Sequence, residues 1–564
     1  MDPNHVPRGQ AGGTRWDRVL LALTALACVV SIIAVLDHTK YPDPVRRVSA
    51  FQYLLRDQDL AGSVLIIAIA IAAYLPRSRG AALEVVEWLS RNTWPVAAAV
   101  FVGLCAAMFA VVHNHPLAGD EHLALFQSRA FAAGHLTGKF PLDLFYRLTP
   151  DGYQWRWLIA SPDGAVAAAY WPGFSLLLLP FTLIGMPWAC NPLLAALSLV
   201  LMAKLASRLT GNAQAGGWAM LFALASPGFS GMALSYFSMT AHLFLNLVFA
   251  WLILEGTRRC LLGAGAVGSF ALVQSNPVPH ILFALPWIRW IATGREARRN
   301  VLALAAGYAP LVFLLGFGWW LFLRHLQEKL GAGSSDADVH GLANLLHHLS
   351  IQFWIVFELP GDSTLTNRLL EQVRLWSWAT PGLPLLALAG WWMGRRIAGV
   401  NLFAWSFAST LLGYFFVSFD QGYGWGARYV HSAWGALPIL ASIAMVSIRE
   451  ADGALRVRSY VARAALLSLL FATALRFFQI HLFIDDQLSL RPPFEKGVRQ
   501  IVFIPRNTEY YTQDFVQNDP FLREPVIFMM SRGRKRDYDD VIRRHFPGAR
   551  LTYDGLNGQV WRLD

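Results

Sequence analysis

The chain has 564 residues, 47 basic against 36 acidic for a net charge of +11, with 55% hydrophobic and only 15% charged side chains. That balance excludes a disordered chain; soluble domains carry about a quarter charged residues, so a mean hydropathy of +0.40 with 22 Trp and 36 Phe marks a chain solvated largely by lipid. A basic excess in such a chain is first a topology signal, because Lys and Arg are held on the cytoplasmic side, and no nucleic-acid partner is expected.

From the N-terminus, Arg8, Arg15 and Arg18 precede an apolar run from Val19 to Leu36, and Ala25-Leu26-Ala27-Cys28 imitates a lipoprotein cleavage site. The run continues past Cys28 far enough to span a bilayer, which predicts an uncleaved first helix. Leu60 to Leu75 and Trp94 to Val112 are the next two spans, and the polar stretch His113 to Tyr170 then interrupts the pattern. Within it, Leu123, Phe126 and Ala130 share one face of a short helix over Asp120 to Ala133, stopped by Gly134. Ser161-Pro162-Asp163-Gly164 predicts a turn between Tyr153 to Ala160 and Ala165 to Tyr170.

Further apolar segments run Phe174 to Met186, Leu193 to Leu209, Trp218 to Met232, Ala241 to Leu254, and Leu261 to Trp290 broken at Ser275-Asn276-Pro277. Val301 to Leu323, Leu383 to Met393, Leu402 to Val417, Ala433 to Val446 and Val461 to Ile480 complete about thirteen crossings. Arginines at 295, 298 and 299, at 395 and 396, and at 449, 456 and 458 occupy alternate short loops and predict that these face the cytoplasm. The 113–170 loop, the loops Arg324 to Arg374 and Asp420 to Tyr429, and everything after Ile480 then lie outside. Lys204 and Arg208 agree with this only if Phe174 to Met186 is not a full crossing. The tail changes composition: Gln500 to Ile504, Pro525 to Met529 and Gln559 to Leu563 read as strands and Tyr538 to Phe546 as a helix. The expected organisation is two N-terminal membrane helices (1–93), an all-α polytopic membrane core (94–480) with the loop 113–170, and a small soluble α/β domain (481–564).

Four motifs could carry chemistry. Asp120 and Glu121, followed by His122, stand where a helix leaves the membrane; a carboxylate at a partly desolvated interface suits general-base work, although Asp120 could equally cap the helix it opens. In Gly422 to His431, three alternating glycines allow close backbone approach, and Arg428, flanked by Trp425, Tyr429 and His431, could grip a phosphate by paired hydrogen bonds or snorkel to lipid headgroups. Gln274 to His280 puts Asn276 and His280 at membrane depth, where polar groups line a cavity or find partners; an ordinary hairpin is the alternative. His242, closing Tyr236 to His242, is either a structural hydrogen-bonder or part of a site. Cys28, Cys105, Cys190 and Cys260 read as small apolar fillers. The pairs His113/His115 and His347/His348 have no Asp or Glu at ligand spacing, and Asp336 and Asp338 in the 331–339 run are too few, so no obligate metal is expected.

An Asp-Glu pair directly after a membrane helix, Tyr170-Trp171-Pro172-Gly173 opening the next apolar run, and a late loop with Arg428-Tyr429 resemble the C-type glycosyltransferase superfamily, in its bacterial protein-mannosyltransferase-like and aminoarabinose-transferase-like branch. The resemblance covers roughly Trp94 to Ile480, and Tyr170-Trp171-Pro172 replaces the usual double proline. It implies a multi-pass enzyme of the bacterial inner membrane that takes a sugar from a polyprenyl-phosphate carrier, with no obligatory cofactor. The sugar passes with inversion to a glycan, lipid or protein acceptor on the extracytoplasmic side, where the tail also lies. By the same resemblance Asp120 is the base and Glu121 orients it or the acceptor. Arg428 holds the donor phosphate, with Lys139 and Arg129 as second choices, and Tyr170 joins the residues lining the site. A lipid flippase or transporter and a non-catalytic subunit of a polysaccharide assembly system are the alternatives from other classes.

Overall fold

The computed structural model describes residues 15–38, 49–75, 80–154, 157–328, 357–449, 453–506 and 511–563. The 331–339 run with Asp336 and Asp338, and His347 and His348, lie outside them.

Among the described residues, five helices are long and apolar enough to cross a membrane: Trp16–His38, Thr93–Ala110, Pro187–Thr210, Ala297–Gln327 and Ala454–Ser489. Gly173–Leu183, Met239–Glu255, Leu383–Gly394 and His431–Ser447 are shorter apolar helices. The first helix runs unbroken through Cys28, which is wholly buried against Ile66, Ile69 and Ala472. Several expected spans are realised in pieces. Trp218 to Met232 becomes Ala213–Leu224 and Pro227–Ala233, with the break opened by Ser226-Pro227. The double segment splits into Arg258–Leu272 and Val278–Thr293 as expected. Gly173–Leu183 has 11 residues and an internal Pro180; at 1.5 Å per residue it covers only about 16 Å, half a hydrocarbon core. Ala454–Ser489 is 36 residues long, about 54 Å, and so carries the chain well clear of an apolar layer before the tail begins. Two helices that the apolar pattern does not predict, Ala81–Arg91 and Asp362–Ser377, are amphipathic.

Association in the bundle depends on close backbone approach. A Cβ on either Gly265 or Gly307 would stand 2.8 Å from the Cα of the other, which lets Arg258–Leu272 and Ala297–Leu311 pack in direct contact. One polar cluster lies inside this apolar surround. Asp59 accepts from Arg374 Nε at 3.0 Å, Arg476 Nη2 at 3.1 Å, Ser377 Oγ at 3.0 Å and Trp378 Nε1 at 2.5 Å. All three charged side chains are buried, and removing one partner of such a set leaves uncompensated charge. Asp59→Asn is expected to lower unfolding stability in detergent by about 3–5 kcal/mol, read as a large fall in Tm; an unchanged Tm would refute that account of the cluster.

Outside the bundle, the 113–170 segment forms the helix Gly119–Ala132 and a small antiparallel sheet of β1 (Gly138–Lys139), β2 (Leu158–Ala160) and β3 (Ala165–Ala168), in the order β1-β3-β2. The turn between β2 and β3 is the Ser161 to Gly164 tetrapeptide, closed by Gly164 N–H on the Ser161 carbonyl. The tail adds β4 (Gln500–Ile504), β5 (Val526–Met530), β6 (Arg550–Gly555) and β7 (Gly558–Arg562) in the order β5-β4-β7-β6. β4 and β5 are parallel and the other pairs antiparallel. β6 was not expected from sequence, because Arg550–Gly555 is mostly exposed and lacks an apolar alternation. Leu123, Phe126, Phe145 and Val166 of the 113–170 segment share one core with Ile501, Phe503, Met529 and Trp561 of the tail. Arg147, buried, locks the two together through Asp537 at 2.5 Å and the Met530 carbonyl at 3.2 Å. Segment and tail therefore form one structural cap.

Candidate active site

Asp120 lies in the first turn of Gly119–Ala132, and its two oxygens have different partners. Tyr170 donates its hydroxyl to Oδ1 at 2.8 Å, and Arg428 Nη2 donates to Oδ2 at 2.9 Å. Asp120 keeps 30% of its side chain accessible, so the pair sits at a surface that a solute can reach. Asp120 is the second residue of the helix, two past its N-cap Ala118, and its side chain makes no cap bond, so the cap expected from sequence is not formed; both oxygens bond other elements.

Arg428 is fixed from three sides. Nη1 donates to the carbonyls of Gln421 at 3.2 Å and Tyr423 at 3.4 Å, and the guanidinium lies 3.7 Å from the centre of the Phe237 ring. Its Nε is buried without a partner, a donor left unsatisfied. The loop is pinned from behind: Arg374 donates to the Gly424 carbonyl at 2.8 Å, which ties it to the Asp59 cluster. Gly426 has φ 92° and would bring a Cβ to 2.9 Å of Gly228, so only glycine fits there.

Glu121 is buried and accepts three backbone N–H groups, from Tyr236 at 2.7 Å, Leu117 at 2.9 Å and Ala118 at 3.3 Å. Its carboxylate closes the helix N-terminus and holds the Tyr236-Phe237 turn, which places Phe237 under Arg428. Glu121 is thus arranged as a positioning group. Burial pushes it up to about 7, although those N–H donors and Arg428 pull the other way.

The tail supplies residues that sequence reading did not find. Asp514 accepts Gly119 N–H at 3.0 Å and is bonded by Tyr153; the Tyr511 hydroxyl accepts Tyr423 N–H at 2.8 Å. Tyr153, Tyr511, Asp514, Asp420 and Gly422 line a cavity of about 360 Å³. Burial, with Asp120 adding to it, pushes Asp514 up to about 7. Nothing local marks Asp514, since it acts on residues nearly four hundred positions away. A buried acid whose folded value is raised binds more protons folded than unfolded between its ordinary value and about 7, so stability falls as pH rises through that window. Relative to Asp514→Asn, wild type is expected to lose Tm as pH rises from about 4 to 7; parallel curves would contradict this.

The remaining sequence candidates make no hydrogen bond to Asp120. Arg129 pairs with Glu524 at 2.9 Å, and the Lys139 ammonium donates to the Asp163 carbonyl. His122 is buried beside Phe126, and burial lowers it to about 3. His242 is buried with both ring nitrogens unbonded. His280 bonds Asn246 at 2.7 Å and Tyr308 at 2.6 Å, and Asn276 Oδ1 accepts Val278 N–H at 3.2 Å in the turn before the following helix. Their partners are supplied by neighbouring backbone and helices, so neither polar group is left to line a cavity. Ser275 instead braces Trp171 N–H at 3.3 Å, next to Tyr170. Trp425 is buried between Trp378 and Tyr423, and His431 stacks on Trp434. Tyr429 stacks on Tyr414 and beside Arg368, bonded to the Asp420 carbonyl at 2.7 Å.

A carboxylate and an arginine brought together where a helical membrane bundle meets an extramembrane α/β cap define a class of polytopic membrane protein with its polar site at that junction. No protein-family model matches the chain, and no curated protein does. Among solved structures, ArnT from Cupriavidus metallidurans bound to undecaprenyl phosphate is similar at TM-score 0.50 and 13% identity over 82% of this chain and 97% of that one. The apo state of the same protein gives TM-score 0.49 at the same identity and coverage. At this identity the likeness is one of fold: the chain shares the fold of ArnT.

Proposed function

We propose that the protein is a membrane glycosyltransferase that moves a sugar from a polyprenyl-phosphate carrier to an acceptor hydroxyl on the extracytoplasmic side, with inversion. The observation that carries this reading is the contact between Asp120 and Arg428, residues on separate elements that meet at an accessible junction of bundle and cap. Undecaprenyl phosphate bound to the fold neighbour ArnT supports a lipid phosphate as the donor's leaving group.

In this mechanism the donor phosphate competes with Asp120 for the Arg428 guanidinium, whose unpartnered Nε supplies a second donor in the same plane once the side chain parts from Asp120 and uncovers it. Release of Asp120 from the pair frees Oδ2 to take the acceptor proton while Tyr170 keeps the carboxylate oriented through Oδ1. The acceptor oxygen attacks the anomeric carbon as its bond to the lipid phosphate breaks, and Arg428 stabilises the charge that develops on that phosphate. The short Gly173–Leu183 helix fits a topology in which Lys204 and Arg208 face the cytoplasm and the cap faces outside.

Proteoliposomes given a polyprenyl-phosphate sugar and an acceptor mixture separate this from a transporter. Glycosylated product without solute accumulation supports the proposal; accumulation without product rejects it.

A further inference from the structure

Sequence reading found no carboxylate near His113. Tertiary packing supplies one: Asp485 Oδ1 stands 2.6 Å from His113 Nε2, and Asp485 Oδ2 stands 3.3 Å from His481 Nε2. His481 and Asp485 are one turn apart on Ala454–Ser489, so they share a face of that helix. His113 comes from the turn that ends Thr93–Ala110, where His113 and Asn114 both take positive φ, 52° and 49°. One ligand atom from each of the three lies within 4.8 Å of the others, and the two imidazole centres are 5.2 Å apart.

We infer that His113, His481 and Asp485 form a binding site for a divalent first-row transition cation, with zinc the best-matched ion. Two imidazoles and one carboxylate are the donor set such ions take. In a tetrahedral zinc site with bonds of about 2.0–2.1 Å, ligand atoms stand about 3.3 Å from one another. The His481 to Asp485 spacing already has that value, and the other two need only side-chain rotations. All three side chains are partly exposed, which gives an ion a route in and leaves a fourth position for water. The bound ion would clip the start of the segment that carries Asp120 to the helix that leads into the tail. This inference does not depend on the reaction proposed above.

The alternative is a pair of His–Asp ion pairs with no metal. Tag-free protein in nanodiscs, stripped with EDTA and desalted, is titrated with ZnCl2 while bound metal and Tm are followed. One zinc per chain and a Tm that rises with zinc are expected. Losing even an outer partner of a metal ligand costs about 10–100-fold in affinity, so Asp485→Asn and His481→Gln are each expected to lose at least that much. Their Tm in EDTA reports whether they still fold. No zinc bound by wild type, or equal affinity in well-folded variants, would overturn the site and leave ion pairs only.

Discussion

Replacing Asp120 with Asn is expected to lower sugar transfer by about 10²–10⁴-fold, the range for loss of a general base, while membrane insertion and Tm stay close to wild type. The substitution is nearly isosteric, and the amide oxygen can still accept one of the two bonds now made by Tyr170 and Arg428. What is lost is the capacity to take a proton. If Asp120 were only a helix cap, its Asn variant would retain activity, because Asn caps as well as Asp. Transfer rates with purified protein and a short-chain polyprenyl-phosphate sugar distinguish the two, and full activity would remove Asp120 from the chemistry.

Arg428→Ala is expected to lower transfer by about 10²–10³-fold, as loss of one fixed group facing developing charge does. Arg428→Lys should recover part of that loss. Lysine keeps the charge over Phe237 but loses the planar fork that now bonds Asp120 and the Gln421 carbonyl together. The same variants should bind polyprenyl phosphate less tightly yet bind the uncharged polyprenol as wild type does. Equal weakening towards both lipids would show that Arg428 serves only the shape of the loop.

The parts of this structure legible in the sequence are those set by local pattern. Leu123, Phe126 and Ala130 marked the helix that opens with Asp120, and Ser161 to Gly164 marked the hairpin. Both arise from neighbours in the chain. Asp120 and Arg428 were visible singly, as charged groups at the mouths of apolar segments, but their contact spans 308 positions and rests on packing. Asp514 and Tyr511 were invisible as site residues because the tail reaches Gly119 and Tyr423 only through the shared core with the 113–170 segment. Breaks within apolar runs were partly hidden for another reason. In a stretch apolar on every face no period marks where a helix stops, so the interruption at Ala225-Ser226 passed unseen while the more polar Ser275-Asn276-Pro277 did not. His280 is conspicuous in sequence as a polar group in an apolar run, and its hydrogen bonds to Asn246 Oδ1 and with the Tyr308 hydroxyl explain how the interior accommodates it.

The most direct test of the central claim is the release of free polyprenyl phosphate from a panel of labelled polyprenyl-phosphate sugars by the purified protein in nanodiscs, with an acceptor extract present. The predicted result is consumption of at least one donor by wild type and none above background by Asp120→Asn. Equal consumption by both proteins, or none by wild type with any donor, would contradict it.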